Sequence, residues 1–99
     1  MAYAHITEFD SGTDRSTINY DDLLERVNSH GQPPGLIYHC AGFDDDGVFR
    51  TIEVWESPEQ RQRFVTERLE PLMAAGPADP TRTDPPDREY GYALHYSSQ

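Results

Sequence analysis

Leu36-Ile37-Tyr38-His39-Cys40-Ala41-Gly42-Phe43 and Val48-Phe49-Arg50-Thr51-Ile52-Glu53-Val54-Trp55-Glu56 are two β-rich runs held apart by Asp44-Asp45-Asp46-Gly47. An Asp-Gly step between such runs signals a hairpin, because glycine readily takes the positive φ that a tight turn needs. The two runs are therefore expected to be antiparallel neighbours. The turn also decides which way His39 faces. A four-residue loop sets it opposite Ile52, beneath the helices, whereas an odd loop or a bulge puts it on one face with Glu53 and Trp55. The second arrangement is expected, since an imidazole under an aliphatic layer needs a buried partner that the sequence does not offer.

Outward from this hairpin, Tyr3 to Phe9 alternates with a period of two and reads as a strand ended by Asp10, Ser11 and Gly12. Tyr20, Leu23, Leu24 and Val27 recur at helical spacing, with Ser16 or Thr17 as cap and Gly31 and Pro33 as stop, predicting about four turns. Ser57-Pro58-Glu59-Gln60 opens a second helix: a capping serine, a proline where the first N–H needs no partner, and a glutamine three residues on. Its stripe is Phe64, Val65, Leu69, Leu72 and Met73, with Pro71 expected to kink it near Glu70. Pro77 to Glu89 reads as a stiff loop and Tyr90 to Tyr96 as the last strand.

The order strand, helix, hairpin, helix, strand predicts an α+β, ferredoxin-like βαββαβ unit spanning residues 1–99, with an antiparallel-type sheet of order 4-1-3-2 and both helices on one face. The crossovers are expected to set the first and third strands side by side and parallel. Parity then sorts the sheet into two unlike sets. Ala4, Ile6, Ile52, Val54, Tyr92 and Leu94 suit the underside of the helices, leaving Tyr3, His5, Thr7, Phe9, Phe49, Thr51, Glu53, Trp55, Ala93 and His95 on the open face. Aromatic groups so placed would leave a wetted patch of several hundred Å², which a face-to-face homodimer would seal around a polar lumen.

The 8 basic residues are all Arg and stand against 18 Asp and Glu, a net charge of −10. Nucleic-acid and anionic-membrane partners are disfavoured on that balance. Cys40 is the single cysteine, and neither a leader nor a membrane-length apolar run is seen, so a cytoplasmic protein is expected.

Pro34-Gly35, His39-Cys40-Ala41-Gly42, Asp45-Asp46-Gly47 and Val54-Trp55-Glu56-Ser57 resemble small bacterial proteins of the dimeric α+β barrel superfamily, similar in layout to the antibiotic biosynthesis monooxygenase family. The resemblance implies the fold, a homodimer, and cofactor-independent oxygenation or isomerisation of a small aromatic or enolic metabolite. Haem-degrading relatives of this kind bind iron through a His on the second helix, and positions 58 to 76 contain none.

For such chemistry His39 is the candidate base and Glu53 the group that orients it. Tyr3 or Tyr38 would donate a hydrogen bond, Trp55 and Phe49 would wall the site, and His5 and His95 would join Glu53 in a polar cluster. No cofactor is called for and no metal-ligand spacing is present. Two rivals stay open: a non-catalytic dimeric binding or interaction module whose lumen is filled by its own side chains, and a haem- or metal-binding protein.

Overall fold

The computed structural model describes residues 2–10, 16–82 and 85–96; Ser11 and Gly12, expected to end the first strand, lie outside them. The elements run β1 (Tyr3–Asp10), α1 (Ile18–Asn28), β2 (Leu36–Phe43), β3 (Val48–Trp55), α2 (Pro58–Phe64), a π turn (Val65–Leu69), α3 (Glu70–Ala74) and β4 (Arg88–Ala93). The sheet order is β2-β3-β1-β4, the ferredoxin-like order expected. Every neighbouring pair is antiparallel, including β1 with β3, which corrects the expected parallel pairing. Each crossover skips one strand, so β1 is parallel to β2 and β3 to β4, and the strand slotted between them runs the other way.

The hairpin turn is odd in length. Asp44 N–H donates to Val48 O at 2.9 Å, leaving a three-residue loop of Asp45, Asp46 and Gly47 in which Gly47 has φ 87°. That is a turn closed by a left-handed glycine, and it sets Phe43 opposite Phe49 and His39 opposite Glu53. The Asp44 carboxylate accepts from Asp46 N and Val48 N at 2.9 Å each. Its hydrogen bond with Arg50, then that with Val48, holds the carboxyl below the usual range.

Ser57 caps α2 as expected, accepting from Gln60 N at 3.2 Å, with Pro58 in the first turn. The helical path runs past Pro71 without ending. Proline lacks an N–H and crowds the carbonyl four residues back, here Glu67, and a widened π turn over Val65–Leu69 absorbs that conflict. Met73 is exposed, so the stripe ends one residue earlier than its spacing suggests. The first helix has 11 residues, three turns where four were expected. The Thr17 hydroxyl donates to Asp21 at 2.8 Å, and no side chain caps α1. No helix among the described residues is long and apolar enough to cross a membrane.

The two faces of the sheet are exchanged relative to the parity assignment. Trp55 packs on Phe64 of α2 with centroids 5.3 Å apart, and Phe49 packs on Tyr20 of α1 at 5.1 Å. The set Tyr3, His5, Thr7, Phe9, Phe49, Thr51, Glu53 and Trp55 therefore lies beneath the helices. By alternation Ala4, Ile6, Ile52, Val54 and Tyr92 line the bare face. The helices carry polar and aromatic tips, Tyr20, Arg61 and Phe64, which match the polar face and leave the aliphatic one uncovered. Leu94 and His95 fall beyond β4.

Candidate active site beneath the helices

One row of side chains crosses the whole sheet: Gly91 on β4, His5 on β1, Glu53 on β3 and His39 on β2 are successive ladder partners. Strand spacing puts neighbours in such a row within about 5 Å at Cβ, so Glu53 sits between two imidazoles. The odd hairpin turn and the register of β1 on β3 together produce this alignment.

Glu53 is held on two sides. It accepts from Trp55 Nε1 at 2.8 Å and from Arg61 Nε at 3.2 Å. Arg61 reaches Glu53 from the last turn of α2 and also lies 3.6 Å from Glu89. Glu89 accepts from His5 Nε2 at 2.7 Å, and the Tyr3 hydroxyl reaches His5 Nδ1 at 3.3 Å. A carboxylate only accepts, so Nε2 of His5 carries a proton and donates to Glu89. The Tyr3 ring folds across Gly91, where a Cβ would collide with its hydroxyl.

His39 has a partner of its own. The Tyr20 hydroxyl lies 2.9 Å from His39 Nε2. Burial, then the nearby Asp21 and Glu53 carboxylates, pushes the Tyr20 phenol up to about 12. The phenol therefore keeps its proton at neutral pH and has a donor to offer Nε2. Expectation held that no buried partner existed for His39 under the helices; Tyr20 is that partner.

Among the expected site residues, His39, Glu53, Trp55, Phe49, Tyr3 and His5 share the helix-covered face. Trp55 is 1 % exposed and closes the inner end, and Phe49 sits among Phe43, Phe9 and Tyr20. Two expected members lie elsewhere. Tyr38 pairs with Val54, so it faces the bare side and is exposed. His95 lies past the end of β4 and is exposed, and the His5 imidazole meets Glu89 instead. His39 and Glu53 oppose one another, but the group bonded to His39 is Tyr20.

Tyr20, Arg61 and Glu89 escaped the sequence. Tyr20 sat in an apolar helical stripe and passed for core; Arg61, on the turn after the Ser57 cap, carried a signal only in pointing back toward the strand that precedes it. Among the described residues no group of three or more His, Cys, Asp or Glu converges as a metal site.

No protein-family model and no curated protein matches this chain. Solved structures do match. A Chloroflexus aurantiacus J-10-fl protein designated an antibiotic biosynthesis monooxygenase aligns at TM-score 0.63 and 18 % identity, over 100 % of this chain and 98 % of that one. A variant of SnoaB, a cofactor-independent oxygenase from Streptomyces nogalater, aligns at TM-score 0.66 and 11 % identity, over 97 % and 95 %. The chain shares the α+β fold of these two structures.

Proposed function

We propose that the chain is a homodimeric, small-molecule-binding protein that acts as a cofactor-independent monooxygenase or isomerase on a small aromatic or enolic metabolite. The observation that carries this reading is the Tyr20–His39 pair at 2.9 Å, on the same face as Glu53, Trp55 and Phe49. The fold shared with a cofactor-independent oxygenase supports it.

In this reading His39 is the base. It takes a proton from a CH₂ group activated by a neighbouring phenol or enol, and the nearby Glu53 carboxylate favours the imidazolium that results. The substrate carbanion is then the reductant of O₂: one oxygen atom stays as a carbonyl in place of the two hydrogens, and the other leaves with them as water. Tyr20, kept as a phenol, turns its hydroxyl from His39 Nε2 to the oxyanion that develops, which frees the Nε2 lone pair to take the proton. Without O₂, returning the proton to another carbon is an isomerisation.

The bare sheet face supports the homodimer. Ala4, Ile6, Ile52 and Val54 form an aliphatic floor in which Ala4 and Ile6 are already buried and Ile52 and Val54 half-buried, flanked by Tyr38 and Tyr92 at 58 % and 52 % exposure. A second copy is the partner that such a self-complementary face suits.

The test is oxygen uptake over a panel of air-oxidisable phenols and enolisable ketones, with wild type, His39→Ala and Tyr20→Phe. Turnover by wild type that His39→Ala abolishes supports the proposal; equal turnover by both removes His39 as base. One observation favours a second reading, a non-catalytic module: Trp55 is 1 % exposed and Glu53, His5 and His39 are all bonded within the chain. Absence of binding or uptake by any panel member would favour it.

A further inference from the structure

We propose that ligands reach the helix-covered face through a port between α2 and residues 33–36, gated by Phe64, and that this port selects small aromatic anions. The proposal rests on the preceding reading for where the site lies.

A depression of about 110 Å³ opens there, lined by Pro34, Gln60, Arg63, Phe64, Glu67 and Arg68. Drug-sized ligands occupy roughly 300–1,000 Å³, so the depression by itself is too small to hold one. What lies behind it matters more. The Phe64 ring forms part of the wall and packs at 5.3 Å on Trp55, whose Nε1 bonds Glu53. Phe64 and, behind it, Trp55 therefore separate the depression from the buried row. One margin is fixed by Gly35, with φ 88°, where a Cβ would collide with the Gln60 side chain.

Phe64 is also the last residue of α2, immediately before the π turn of Val65–Leu69. Such turns break the regular i→i+4 ladder, and here the break lies where a ring must swing to admit a ligand.

Charge gives the selectivity. The protein as a whole carries −10 and repels anions. At the mouth, Arg63 and Arg68 outnumber Glu67, and Arg61 waits further in beside Glu53. Arg68 is steadied by Gly31 O at 2.9 Å, while Arg63 is exposed and free to meet a carboxylate or phenolate. The aromatic pair Phe64 and Trp55 then receives the ring. The mouth lies on the helix side, so a dimer through the bare sheet face leaves it open.

Trp55 is the only tryptophan, so its fluorescence reports the gate in the whole protein with no substrate needed. Quenching by iodide, caesium and acrylamide is measured for wild type, Phe64→Ala, the milder Phe64→Leu, and Phe64→Ala combined with Arg63→Gln and Arg68→Gln. Expected is weak quenching in wild type, a several-fold rise for iodide in Phe64→Ala, a smaller rise in Phe64→Leu, and loss of iodide's advantage over caesium in the combined variant. Near-UV dichroism checks packing, and if Phe64→Ala lacks it, Phe64→Leu decides. Unchanged quenching in the folded variants overturns the gate, and equal gains for iodide and caesium overturn the anion preference. Either result leaves His39 turnover untouched, so the two proposals fail separately.

Discussion

Tyr20 and His39, nineteen positions apart, bring Oη and Nε2 to 2.9 Å across the gap between α1 and β2. Tyr20 keeps its proton more tightly folded, at about 12 against the ordinary 10.0. A raised folded value means that the contribution is fully present below the unfolded value and is lost as pH rises through the folded one. The urea midpoint of wild type should therefore fall more steeply between pH 10 and 12 than that of Tyr20→Phe. Parallel profiles would show that the phenol has no such linkage.

Removing the imidazole strands a phenol that is already partly desolvated. His39→Ala should lower stability by roughly 1–3 kcal/mol in urea unfolding. It should also lower kcat on any accepted substrate by about 10²-fold or more. His39→Gln, which can still accept from Tyr20, should recover much of the stability and none of the rate.

Arg61 is the cation between Glu53 and Glu89. Arg61→Ala leaves the Glu53 carboxylate with Trp55 as its remaining donor among the described bonds, and should cost about 2 kcal/mol, the scale of a charge-assisted hydrogen bond. A double-mutant cycle with Glu53→Gln checks this: the coupling should be favourable, and a value near zero would show that the pair is idle.

At Gly91 there is room for no side chain, because the Tyr3 ring lies across it. Gly91→Ala should displace that ring, break its bond to His5 and cost roughly 1–3 kcal/mol, as overpacking does. The same change in a Tyr3→Ala background should be nearly neutral. A full cost in that background would place the strain in β4 itself.

On the bare face, Val54→Glu puts a charge at the centre of the aliphatic floor. Sedimentation velocity should show wild type as a two-chain species and the variant as single chains, with unchanged far-UV dichroism. Wild type sedimenting as one chain at micromolar concentration would remove the homodimer.

Much of this was legible in the residues. The Asp-Gly turn, the Ser57 cap and the alternation of Tyr3 to Phe9 gave the element order, whereas the loop length that aligns His39 with Glu53 stayed open until the fold was seen. The alternation also separated two unlike sheet faces, but it could not say which one the helices cover. That choice depends on what helix side chains present: Tyr20, Arg61 and Phe64 are amphipathic or aromatic, and they meet polar partners better than aliphatic ones do. Glu89 was hidden for another reason. Its place in a proline-rich charged stretch read as loop, while the backbone from Arg88 already pairs with β1 at Glu8.

The irregularity in β2 has a protective side. Leu36 pairs with Trp55 and Tyr38 with Val54, so Ile37 is an extra residue inserted into the outermost strand. An edge strand with a straight row of free amides and carbonyls invites stacking into fibrils, and an insertion that bends and twists it spoils the template. Deleting Ile37 would straighten that margin, and the molecule would exchange a small local kink for a tendency to polymerise.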